Sequence, residues 1–113
     1  MTKQHQIFTK LDRRHNGFHY WKYYVNRPNT DYGQVLTLFT SQSIFFQWRE
    51  WCWAQWGPSK ELDDWLEDLR NPHLRDQYVS HNEHWCFQHN QYSTRIYLCD
   101  DKELSTFLLK WAI

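Results

Sequence analysis

The sequence predicts an α+β fold, a small antiparallel sheet of three or four strands with helices packed on one face. Three observations carry this expectation. Ser41 to Pro58, SQSIFFQWREWCWAQWGP, holds four of the eight tryptophans and repeats its apolar residues at the helical period. Phe18–Val25, His84–His89 and Thr94–Cys99 are short runs rich in aromatic and branched residues that alternate along the chain. Asp100–Ile113 repeats Leu104, Phe107, Leu108 and Trp111 at spacings of three and four. At 113 residues the chain suits a single domain, residues 1–113, with residues 1–16 a loosely docked arm or short edge strand. Aromatic residues make up 19% of it, so the core is expected to be built from large flat rings.

The first expected strand, FHYWKYYV over Phe18–Val25, puts His19, Trp21, Tyr23 and Val25 on one face. Phe18, Tyr20, Lys22 and Tyr24 fall on the other. A loop dense in turn formers, NRPNTDYG, follows. Val35–Phe39 reads as an early helical turn feeding the tryptophan helix, with a cap or kink near Thr40–Ser43. In that helix Ile44, Phe45, Trp48, Trp51 and Cys52 share one stripe. Phe46 and Trp53 make a second stripe, with Arg49 between the two. A helix this apolar needs cover on more than one side.

Gly57-Pro58-Ser59 breaks the chain with a C-terminal glycine, a proline and an N-cap serine. The next helix, Lys60–Leu69, buries Leu62, Trp65, Leu66 and Leu69 and leaves Asp63, Asp64, Glu67 and Asp68 in solvent. Asn71-Pro72 ends it, and a polar connection containing Tyr78 and Val79 leads to the hairpin of the second and third strands. Trp85 and Phe87, with Ile96 and Leu98, are its expected core faces. Asp100 and Glu103 form a capping box at the start of the last helix.

Lys+Arg and Asp+Glu balance at 13 each, so no global field draws the chain to nucleic acid or an anionic membrane. No apolar run reaches membrane-spanning length, and the first residues, MTKQHQIFTKLDRR, lack a signal-peptide core. The expectation is a soluble, cytoplasmic protein without a cofactor. Cys52, Cys86 and Cys99 show no CxxC spacing and read as reduced, mostly buried thiols.

WCWAQWGPSKEL, then HWCF, then RIYLCDDKELSTFLLKW resemble a pattern in small proteins of tailed phages, especially marine ones. There a tryptophan-rich helix ends in a Gly-Pro-Ser break, a Trp-Cys strand leads to an Arg-Ile-Tyr-Leu strand, and a terminal helix carries Leu, Phe, Leu and Trp. The resemblance runs from Trp51 to Trp111 with long gaps. It implies a viral origin, a host-cytoplasm location and a shared fold, and no activity.

Four constellations bear on function. His81, His84, Cys86 and His89 are zinc-ligand types, and His84 and Cys86 would share a strand face, while His89 would point away. A buried thiol beside partly exposed histidines explains them more simply. Phe18, Tyr20, Lys22, Tyr24, Arg95 and Tyr97 would line the outer sheet face and could stack unpaired bases. Too few cations accompany them to make nucleic acid the favoured partner. Catalysis has little support: three glycines build no phosphate-cradling loop, and no serine or cysteine stands in a nucleophile motif. Only a Cys86–His84 pair could activate a thiolate.

The favoured reading is a non-enzymatic interaction module that uses exposed aromatic surface. It would bind either a second copy of itself, as a dimer, or a host protein. Its expected contact residues are Phe18, Tyr20, Tyr24, Arg95 and Tyr97, with Phe46, Arg49 and Trp53 as second choice. Single-stranded nucleic-acid binding and a small zinc domain are the alternatives.

Overall fold

A computed structural model describes residues 8–26, 34–71, 81–90 and 94–111, with the side chains of the first helix described from Ile44 onward. The expectations for Tyr78 and Val79 lie outside the described residues. Four strands and three helices follow in the order β1 (Phe8–Lys10), β2 (Tyr23–Val25), α1 (Gln34–Trp56), α2 (Leu62–Arg70), β3 (Trp85–His89), β4 (Thr94–Leu98) and α3 (Asp101–Trp111). The strands form one antiparallel sheet in the order β1-β2-β4-β3. The class is α+β, and β1 is an edge strand within the expected N-terminal arm.

Register divides the sheet into two faces. Val25, Ile96 and Phe87 lie side by side, as do Tyr23, Leu98 and Trp85. These residues pack with Phe45, Trp48 and Cys52 of α1 and Leu104 and Phe107 of α3 in the larger core. Tyr24, Tyr97 and Cys86 form the neighbouring row and face the other way. They pack with Leu62, Trp65 and Leu66 of α2 and with Leu11 and Trp21. Thus α1 and α3 share one face, and α2 with the 11–21 loop backs the other.

The alternation over Phe18–Val25 makes a strand only at Tyr23–Val25. Before it the chain turns. The amides of Tyr20 and Trp21 both donate to the Gly17 carbonyl, at 3.0 and 2.9 Å, so they cannot join a strand ladder. A Cβ on Gly17 would sit 3.2 Å from Trp21 Cδ1 and 3.3 Å from His15 Nδ1. This tight turn rotates Trp21 out of the Tyr23–Val25 face and into the core beneath α2, where its ring lies 4.7 Å from that of Trp65.

Two expected caps serve tertiary contacts instead. The Ser59 hydroxyl donates to the Trp85 carbonyl at 2.7 Å, and α2 begins after Glu61. The Phe87 amide donates to the Lys60 carbonyl, and the His89 amide to the Glu61 carboxylate. Residues 59–61 therefore occupy the outer edge of β3, which would otherwise be open to another strand. At α3 the Asp100 carboxylate accepts from the Asp101 amide at 2.8 Å, but Glu103 turns to His84 rather than closing a capping box. α1 runs through Thr40–Ser43 without the expected break. It ends at Gly57, whose φ of 96° suits glycine and lets its amide donate to the Trp53 carbonyl.

Candidate protein-interaction surface

α1 is apolar on nearly every side, and its two stripes meet different fates. Phe45, Trp48 and Cys52 are buried, with Ile44 and Trp51 packed beside them. The stripe of Phe46 and Trp53 is left outside, at 36% and 49% exposure. Such rings commonly mark contact surfaces when they gather around an arginine. Arg49 lies between them, its guanidinium carbon 5.0 Å from the Phe46 ring centre and 5.3 Å from that of Phe87. Those two rings hold the cation in place, and among the described residues no carboxylate pairs with it.

Beside this ridge the helix and β3 leave an open groove of about 500 Å³, lined by Arg49, Glu50, Trp53, Ala54 and Phe87. The His89 ring stacks on Phe45 at 5.2 Å and meets the edge of Phe46 at the same distance. The surface thus combines exposed rings, a held cation and the adjacent exposed carboxylate of Glu50.

The first-choice residues on the sheet face fare differently. Tyr97 is fully buried, because the 11–21 loop and α2 cover it. Its hydroxyl lies 3.0 Å from His15 Nε2. His15 Nδ1 accepts from the Gly17 amide at 2.9 Å, so in the neutral ring Nε2 carries the hydrogen and donates to Tyr97. Burial, helped by the charge of Arg95, pulls the His15 pKa below its usual value. Arg95 sits 4.2 Å above the Tyr24 ring and donates to the Tyr97 hydroxyl at 3.4 Å. Phe18 is half-buried against the same core, and Tyr20 leans edge-on against Trp65 while staying 45% exposed. Lys22 leaves the face to pair with Asp101 at 3.0 Å and Asp100 at 3.5 Å. The expected continuous platform of Phe18, Tyr20, Tyr24, Arg95 and Tyr97 is therefore not formed. The turn at Gly17 removes its first two members from the strand, and the loop buries its last.

The four metal-ligand types also diverge. Asn82 accepts the amides of His84 (2.8 Å) and Trp85 (3.1 Å) in a tight turn, so the regular strand starts only at Trp85. His84 swings to Glu103, 2.9 Å away, on the side of α1 and α3, whereas Cys86 is buried on the side of α2. The expectation that they share a face fails for this reason, and with it the thiolate pair. His81 stacks on Trp65 at 4.1 Å, and His89 stacks on α1. Among the described residues no three of His, Cys, Asp and Glu converge as a metal site. Burial pushes the Cys52 thiol far up, and burial with the nearby Glu61 carboxylate does the same to Cys86.

Asn82 is a structural residue that no sequence pattern singled out. Its Nδ2 amide donates to the carbonyls of Trp56 (3.0 Å), Gly57 (3.3 Å) and Pro58 (3.1 Å). Its backbone carbonyl accepts from Trp65 Nε1 at 2.8 Å. One residue thus ties the end of α1 to the start of β3. Comparison of the chain with protein-family models, curated proteins and solved structures finds no match. Among the described residues no helix is long and apolar enough to cross a membrane.

Proposed function

We propose that this protein is a non-enzymatic interaction module whose contact surface is the outer ridge of α1, and that its partner is a second copy of itself. The observation that carries the reading is the pair of exposed rings, Phe46 and Trp53, set around a ring-held Arg49 beside an open groove. Interface centres favour this combination of aromatic residues and arginine. Leu109 on α3 is more exposed, at 84%, but solvent exposure of a single apolar residue is ordinary.

The sheet face supports single-stranded nucleic-acid binding less well, since Tyr97 is buried and Arg95 already covers Tyr24. The resemblance to tailed-phage proteins fits a module acting in the host cytoplasm. The test is sedimentation of Phe46→Ser and Trp53→Ser beside the unaltered chain. Both exposed positions tolerate serine without loss of core, so each variant should stay folded and shift toward monomer. Unchanged association in both would refute the ridge as the contact surface.

A further inference from the structure

Within the self-association reading, the order of residues along the ridge carries information about how two copies meet. The midpoint of Phe46 and Trp53 along the chain coincides with the midpoint of Arg49 and Glu50. If two copies of α1 cross antiparallel about a two-fold axis at that midpoint, Phe46 of each meets Trp53 of the other. The same axis brings Arg49 of each to Glu50 of the other. A two-fold contact uses one patch twice, so it must be complementary to itself, and this ridge is.

Two further observations favour this register. Among the described residues neither Arg49 nor Glu50 has an oppositely charged partner within its own chain. They cannot satisfy each other either, because adjacent residues on a helix do not face one another. Both line the same groove and are therefore presented side by side to whatever enters it. Moving the axis by half a residue to Glu50 would set the two Glu50 carboxylates against each other. Moving it to Arg49 would oppose the two guanidinium groups. Charge thus selects one register among those that the rings alone would permit.

We infer that the protein self-associates as an antiparallel two-fold pair of α1 helices centred between Arg49 and Glu50, with two reciprocal Arg49–Glu50 ion pairs. The ridge from Phe46 to Ala54 covers about 12 Å of helix axis. Such an interface is small, and its affinity belongs in the weak, micromolar class.

Charge reversal tests the register. Arg49→Glu sets the introduced carboxylate against the other copy's Glu50 twice, and Glu50→Arg sets two arginine pairs together. Each single variant should weaken association on the order of ten-fold in low salt, and the combined R49E/E50R variant should regain most of it. Lys102→Glu, an exposed change away from the ridge, controls for net charge and should leave association unchanged. Singles that weaken association and a double that does not recover would overturn the register, as would singles without effect. If Phe46→Ser and Trp53→Ser still dissociate the dimer in that case, the ridge stands and only the pairing is wrong. An unaltered chain that never associates removes both.

Discussion

Replacing the buried Asn82 with alanine should destabilise the protein more than any of the surface substitutions described above. Asn82 is 8% exposed, and its amide oxygen accepts two backbone amides, those of His84 and Trp85. Its amide nitrogen meets three carbonyls, at Trp56, Gly57 and Pro58. Alanine would leave the buried Trp85 amide without an acceptor, at about 1–3 kcal/mol, and remove the other bonds at roughly 1 kcal/mol or less each. A total near 3 kcal/mol is expected, a large share of the ~5–15 kcal/mol typical of a domain. Urea unfolding followed by tryptophan fluorescence at fixed protein concentration would read this directly. With a slope of about 1.5 kcal/mol per molar urea, the midpoint should fall by about 2 M.

Asn82→Asp sharpens the test. It keeps the acceptor for His84 and Trp85 but turns a carboxylate oxygen toward three carbonyls. It should destabilise at least as much as alanine at neutral pH, and less in acid, where a protonated carboxyl supplies a donor. A loss below about 1 kcal/mol for alanine, together with a native-like aspartate variant, would refute the reasoning. Pro58 and the β3 edge contacts would then be holding the turn without Asn82.

Other consequences follow from the same contacts. Trp85 Nε1 donates to the Gly57 carbonyl at 2.8 Å, whereas Trp21 Nε1 is buried without a partner among the described residues. Trp85→Phe should therefore cost about 1 kcal/mol more than Trp21→Phe in matched urea titrations, and equal costs would discount the bond. Thiol labelling of the native protein should reach half-exposed Cys99 first, with Cys52 and Cys86 reacting only on unfolding. Early modification of Cys86 would contradict its place beneath α2. His15 has a folded pKa below its ordinary 6.5, so the unfolded chain takes up the proton first. Its contribution to stability is complete above pH 6.5 and is lost as pH falls through the folded value. His15→Gln should flatten that part of the stability profile, and an unchanged slope would assign it to other groups.

The inner half of this molecule could be read from its residues, because periodicity reports burial. The stripe of Phe45, Trp48 and Cys52, the hairpin pair of Trp85 and Leu98, and Leu104 with Phe107 all lie in the core that their spacing implies. The N-terminal strand was less legible. Aromatic alternation in HYWKYY suits a strand, yet Gly17 permits a tight turn whose local hydrogen bonds take the amides first. Ser59 and Glu103 carry ordinary cap chemistry, but both find partners distant in sequence, at Trp85 and His84. Asn82 stands in a polar connection with no pattern to mark it, since its partners are carbonyls that any residue would present. For the interaction surface, the second stripe of α1 was visible from the spacing of Phe46 and Trp53. Which stripe stays outside depends on where β3 and α3 pack.

The most direct test of self-association through α1 is the mass of the unaltered protein by light scattering across a concentration series in low salt. Pairing through the ridge predicts a shift from the 14.2 kDa monomer toward twice that mass as concentration rises through the micromolar range. A constant monomer mass up to about 1 mM would contradict it, leaving Phe46, Arg49 and Trp53 as surface without a partner of their own kind.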